Sequence, residues 1–174
     1  MLAGVAGSTM AAEWQDAPET LTPDTNTVQW TDIEDQNSFV HTPTGDGEKT
    51  VPLSWMSVTD NKTFDKTLWV TGVGSKAQAS GFGVSGEGVT FTNKGTIYAT
   101  SGENGVNFQN DAIWAGNGAT AINEGKIVAK DAYGMRVGKD GLASKIVNNG
   151  SIYVESSGVG MELGGAKDSE AVNN

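Results

Sequence analysis

From Val89 to the C-terminus, short runs of alternating apolar and polar residues return at a nearly fixed distance. Aligned on Asn93, Asn123, Asn148 and Asn173, at steps of 30, 25 and 25 residues, the position two before carries Phe91, Ala121, Ile146 and Ala171. Four positions after stand Ile97, Ile127 and Ile152, and six after stand Ala99, Ala129 and Val154. A spacing of two is the period of a strand, whose successive side chains point to opposite faces. Gly95, Gly125 and Gly150 each follow an Asn by two positions and mark a tight bend, where positive φ costs a glycine little. A further segment reads Gly, apolar, polar, apolar: Gly105-Val106-Asn107-Phe108, Gly134-Met135-Arg136-Val137 and Gly160-Met161-Glu162-Leu163. The pattern predicts three short strands per repeat, one ending at the Asn, one starting after the Gly, and one at the Gly-Val or Gly-Met pair.

A short strand with one apolar side cannot bury that side alone. Coiling three strands per turn and stacking the turns encloses a continuous core, so the predicted fold is all-β, a parallel β-helix solenoid. Neighbouring coils then lie about 4.8 Å apart, with equivalent residues stacked as ladders. An inward Asn amide donates to the copy above and accepts from the copy below, which satisfies a buried polar group without an outside partner. The row Tyr98, Val128, Tyr153 alternates with the Ile and Ala rows and is expected to point outward.

The chain divides into three regions. Residues 1–12 (MLAGVAGSTMAA) are uncharged and small, then give way to Glu13-Trp14-Gln15-Asp16, which reads as the remnant of a secretory signal peptide. Residues 13–60 are rich in Thr, Asp and Pro, hold Trp14, Trp30 and Trp55, show no period, and are expected to form an irregular N-terminal cap over the first coil. Residues 61–174 are the coils, of which 61–88 are degenerate; the ending Ala171-Val172-Asn173-Asn174 matches Ile146-Val147-Asn148-Asn149 and reads as a stack cut off mid-turn.

Composition narrows the role. Hydrophobic residues make up only 37% of the chain and Gly numbers 24, which suits a thin solenoid better than a globular α/β core. The absence of Cys fits a chain that draws its stability from a long core and must stay threadable. Net charge is −10, with 12 acidic against 4 basic residues in 1–88 and 9 against 7 in 89–174. That balance repels nucleic acid and anionic membrane.

The pairing of N-x-G-x-I-x-[VA] with a later G-[MV]-x-[VLF], behind a secretion-like start and without Cys, resembles the passenger region of bacterial type V secreted autotransporters over residues 89–174 and more weakly over 61–88. The resemblance implies a right-handed β-helix, export through the periplasm of a Gram-negative cell, and carriage across the outer membrane by a C-terminal β-barrel translocator. It implies display at the cell surface or release, in a structural or adhesive role toward a host-surface protein or glycan. No translocator is present in this chain.

Two other readings share the fold: a carbohydrate-active enzyme and a phage tail-type fibre. Glycosidic cleavage needs two carboxyl groups about 5 to 9.5 Å apart. The catalytic candidates on the regular coils are Asp131, Asp140, Glu155 and Glu162; Asp131 aligns with Ser156 at a turn, and Arg136 and Glu162 stack as an expected exposed ion pair. Gly81-x-Gly83-x-x-Gly86 imitates a dinucleotide fingerprint but is followed by Val89-Thr90-Phe91-Thr92 rather than a helix. Gly164-Gly165-Ala166-Lys167-Asp168 lacks the rest of a calcium nonapeptide, and the single His41 has no companions for zinc. No cofactor or metal is expected. The longer first step places an insertion between Gln109 and Gly118, a candidate binding loop of Asp111, Trp114 and Asn117; either Trp114 is exposed to stack on a sugar or protein, or Ile113 and Trp114 fold back over the coil edge.

Overall fold

The computed structural model describes residues 14–21, 23–24, 30–41, 54–71, 79–100, 111–138 and 141–174. The predicted signal segment 1–12, the third segment at 105–108 and Asp140 lie outside these residues. In chain order the elements are β1 (Pro23–Asp24), α1 (Trp30–Ile33), β2 (Ser38–His41) and β3 (Ser54–Val58). Then come the coils: β4 (Lys62–Phe64), β5 (Thr67–Thr71), β6 (Ala79–Ser85); β7 (Thr90–Asn93), β8 (Thr96–Thr100), β9 (Asp111–Gly116); β10 (Thr120–Asn123), β11 (Lys126–Lys130), β12 (Tyr133–Val137); β13 (Lys145–Asn148), β14 (Ser151–Glu155), β15 (Val159–Leu163); and β16 (Glu170–Asn173).

Every third strand joins the same sheet. The first sheet runs β4-β7-β10-β13-β16, the second β1-β2-β5-β8-β11-β14, and the third β3-β6-β9-β12-β15. All pairings are parallel, so the chain is a parallel β-solenoid of about four turns. The sequence segment 13–60 supplies three strands to this stack, β1 beside β2, β2 beside β5 and β3 beside β6.

Register follows the sequence ladders. Asn93, Asn123, Asn148 and Asn173 are consecutive partners, and so are Ile97, Ile127 and Ile152. Asn93 and Asn123 are fully buried. Each amide nitrogen donates to the next amide oxygen at 2.7 Å, from Asn93 to Asn123, to Asn148, to Asn173. The Asn93 side-chain oxygen also accepts from Gly95 N at 3.1 Å, so the amide closes its own bend while tying two coils.

The three glycines at the bend serve close approach rather than an unusual backbone. None of them has positive φ; among the described residues the positive-φ glycines are Gly86, Gly88, Gly118, Gly141 and Gly165. A Cβ on Gly125 would collide with the Gly95 carbonyl, and one on Gly150 with the Gly125 carbonyl. Glycine here lets one bend sit on the next.

The core changes character along the stack. At the early coils Phe64, Phe82 and Phe91 pack with centroids 4.8 and 4.5 Å apart, and Phe39 meets Phe64 edge-on at 5.8 Å. Later coils fill the same space with Ile, Met and Ala, among them the fully buried Ile113, Met135, Ala121 and Ile146. The buried Ile33 of α1 joins this cluster, and Trp30 lies 6.3 Å from Phe82. The Lys66 ammonium donates to the carbonyls of Ile33 and Glu34 and holds the end of α1.

One register differs from the sequence alignment. The third strand of the long coil is β9, with Ile113 beside Met135 and Trp114 beside Arg136. The extra residues therefore precede Asp111: residues 101–110 separate β8 from β9, whereas 131–132 separate β11 from β12. Asp111 and Trp114 stand in a strand, and Asn117 in the turn after it.

Substituting Asn123 by Ala orphans a donor on Asn93 and an acceptor on Asn148, each worth about 1 to 3 kcal/mol when buried. The expected loss in urea unfolding is about 2 to 5 kcal/mol, against under about 1 kcal/mol for Asn173→Ala on the exposed rung; equal losses would remove the ladder from the account. Gly125→Ala is expected to destabilise through the carbonyl collision, by an amount that Gly160→Ala, where a Cβ meets only ordinary contacts at 3.7 and 3.8 Å, does not share.

Candidate functional site

A solenoid of this kind fixes its inward rows by packing, so recognition chemistry is confined to its outward rows and turns. The three outer faces differ. On the first sheet the outward row is Thr92, Ile122, Val147 and Val172, partly exposed and β-branched or short.

On the second sheet the outward row runs Val40, Trp69, Tyr98, Val128, Tyr153 in register. It points away from the core but is not open: Trp69 is 7% exposed, Tyr98 3% and Val128 0%. Trp14, Ala17 and Leu21 cover it, forming a second apolar cluster outside the coil. The strap is held by polar tips. Trp69 Nε1 donates to the Gln15 carbonyl at 2.8 Å, and the Tyr98 hydroxyl donates to Gln15 Oε1 at 3.0 Å. The Trp14 amide donates to Glu155 at 2.6 Å, and its ring meets Tyr98 edge-on at 5.6 Å. Trp69 and Tyr98 stack nearly parallel at 5.4 Å, one coil apart, and the Lys126 ammonium stands 5.7 Å from the rings of both Tyr98 and Tyr153. Burial pushes the Tyr98 hydroxyl above the ordinary value of 10.0.

The third sheet carries the densest chemistry. Its outward row is Ser57, Gly83, Trp114, Arg136, Glu162. Arg136 does not pair with Glu162 as the sequence suggested. Its guanidinium turns to the preceding coil and bonds Asp111 Oδ2 at 2.7 Å, with side-chain exposures of 18% and 0%. It also lies 4.9 Å from the centre of the Tyr133 ring. A fully buried carboxylate needs a hydrogen-bonded cation, and a planar guanidinium pinned on an aromatic face supplies one. Burial, then the Glu162 carboxylate, raise the Tyr133 hydroxyl above 10.0; Arg136 opposes this and Asp111 adds to it.

Trp114 lies on a floor of glycines. A Cβ on Gly138 would stand 2.5 Å from Trp114 Cζ2 and 3.0 Å from Cε2, and one on Gly116 would collide with Cη2. Only bare backbone lets the indole pack this closely against the sheet, and the residue stays partly exposed. Asn117, in the next turn at φ 53°, donates to Ser85 Oγ at 2.9 Å.

Of the acidic residues weighed for catalysis, Asp131 takes a turn position at φ 52° and accepts from Ser157 N at 3.0 Å, while Glu155 holds the strap. Ser156, its counterpart one coil on, has φ 54°. Sequence reasoning missed the strap because its partners lie up to 141 residues away. It missed the Asp111–Arg136 pair because the misplaced insertion left β9 unaligned; a search for a Gly-rich strand holding the register of Met135 would have found it.

Arg136→Met strips the buried Asp111 of its guanidinium and is expected to cost about 3 to 5 kcal/mol, partly recovered in Asp111→Leu/Arg136→Met; a loss under about 1 kcal/mol would show the pair to be dispensable. Tyr98 and Tyr133 hold their protons more tightly folded than unfolded, so their contribution to stability is complete below pH 10.0 and declines as pH rises above it. Urea midpoints should therefore fall as pH rises above 10.0 while tyrosinate absorbance at 295 nm rises, and Tyr98→Phe should flatten part of that fall. The sequence matches no protein-family model, and comparison with curated proteins and with solved structures gives no match.

Proposed function

We propose that this chain is a structural and adhesive module of a surface-displayed protein, built as a β-solenoid that holds rows of side chains at fixed spacing toward a binding partner. The observation that carries the reading is the register: three parallel sheets stack equivalent residues coil upon coil, so outward rows form ordered arrays on a stiff support. A parallel β-helix serves both structural proteins and enzymes, and fold alone does not choose between them. Here the outward chemistry supports binding. The buried acid is already neutralised by Arg136, and the half-buried carboxylate at the strap is occupied by a backbone amide.

The autotransporter reading belongs to the same proposal. Export through the periplasm of a Gram-negative cell, carriage by a β-barrel translocator and contact with a host-surface protein or glycan agree with a Cys-free chain of net charge −10 whose core needs no crosslink. A solenoid that buries its polar groups in ladders can form coil by coil as chain becomes available.

Beads coated with the protein, applied to epithelial monolayers, are expected to be retained well above albumin-coated beads and released by excess soluble protein. Retention at the albumin level would overturn the adhesive role.

A further inference from the structure

We propose that the outer face of the third sheet, around Trp114, Arg136 and Glu162, is a binding platform for neutral hexose oligosaccharides. The proposal rests on the adhesive reading and gives it a ligand class and a place.

Four observations converge there. First, the indole of Trp114 packs directly against the backbone of Gly116 and Gly138, where a Cβ at either position would collide with it. A partly exposed indole offers apolar ring surface of the kind on which the C–H face of a pyranose rests. Second, the polar group beside it is already immobilised. Arg136 is pinned between the Tyr133 ring and Asp111, so a hydroxyl that meets its outer N–H groups does not have to pay for ordering a long side chain. Third, Glu162 is the next residue in the same outward row, partly exposed, and supplies acceptor oxygens where the guanidinium supplies donors. Fourth, the three side chains stand on successive coils, at intervals of about 4.8 Å, so the row extends along the stack for the length of a disaccharide.

Charge selects the class of sugar. Asp111 cancels Arg136, leaving the Glu162 carboxylate as the uncompensated charge of the row, on a protein of net charge −10. Sialylated, sulfated or uronic glycans would meet repulsion. A neutral hexose offers hydroxyls that both donate and accept, which matches the alternation of guanidinium and carboxylate.

The sequence placed Trp114 in a loop. Its position in β9 instead gives the platform a rigid base, since the indole and the two polar residues are held by one sheet in one register.

The test is a surface of immobilised neutral hexaoses of glucose, galactose and mannose, with sialyl-lactose as the acidic comparison, probed with the intact chain. Binding to at least one neutral hexaose and not to sialyl-lactose is expected. Trp114→Ala should lower it roughly tenfold or more, and Trp114→Phe several-fold, since a stacking contact is worth of order 1 kcal/mol or above. Gly138→Ala, which tilts the ring without touching the Asp111–Arg136 pair, should weaken binding with far-UV circular dichroism unchanged. Lys94→Ala, an exposed change on another part of the coil, should not. Failure of the intact chain to bind any neutral hexaose, or binding that survives Trp114→Ala, or binding to sialyl-lactose alone, overturns the platform. If any of these occurs while coated beads are still retained on cells, the adhesive reading stands and its ligand lies elsewhere.

Discussion

A primary amide in an apolar interior has two hydrogens and an oxygen to satisfy, and the Asn93 to Asn173 ladder satisfies them by stacking at one fixed distance. Each amide reaches the next at 2.7 Å. That length is attainable only if the coils are in register and separated by the spacing of paired strands. The ladder therefore sets the geometry for everything attached to the coils. The bend glycines serve the same constraint from the outside, because any side chain there would hold successive bends apart. Amide and glycine together make a one-residue slip expensive: it would place a polar group against the Ile row and a methyl against a carbonyl.

This constraint is also what made the fold readable. Phe91, Ile97, Ala99 and their copies alternate with a period of two, and the repeat distance places the copies above one another, so the three-strand coil followed from residue spacing alone. The first sheet begins one coil before the motif: Phe64, not Asn, is the partner of Asn93, and the amide ladder starts one coil into the stack. The turn glycines were located by sequence but assigned the wrong reason, since φ is not visible in a letter and close approach depends on the neighbouring coil. The candidate site was less legible. Gly105-Val106 imitates the opening of the third strand, and the imitation displaced β9 by several residues and turned Trp114 from a sheet residue into a loop residue. The strap was beyond reach for another reason. Nothing local in Trp14-Gln15-Asp16 announces that Glu155, Trp69 and Tyr98 will receive it.

The strap changes how the stack holds together. A bare solenoid is stabilised by nearest-neighbour contacts, and its terminal coils can fray independently. Residues 14–21 run across the second sheet from the strand that carries Glu155 toward the one that carries Val40, touching Tyr98 and Trp69 between them. A tie of this length couples coils that do not otherwise touch. Its apolar contacts remove Trp69, Tyr98 and Val128 from water, and its hydrogen bonds use polar tips that burial would otherwise leave unsatisfied. The second face is thereby committed to stability.

What remains for recognition follows by subtraction. Inward rows cannot vary without disturbing the ladder, the second outer face is occupied by the chain itself, and the first presents the short or β-branched Thr92, Ile122, Val147 and Val172 beside a row whose Lys145 and Glu170 are already paired. On the third face glycine, tryptophan, arginine and glutamate follow one another in a single row, with a buried ion pair beneath them. Burying Asp111 under Arg136 is a poor way to gain stability, since a well-packed apolar pair of the same volume does as well or better. Its consequence is a guanidinium held immobile beside a partly exposed indole. A solenoid can tolerate such an arrangement because each coil is anchored by its neighbours through the inward rows, which leaves the outward row free to carry chemistry that would be too costly to support on a loop.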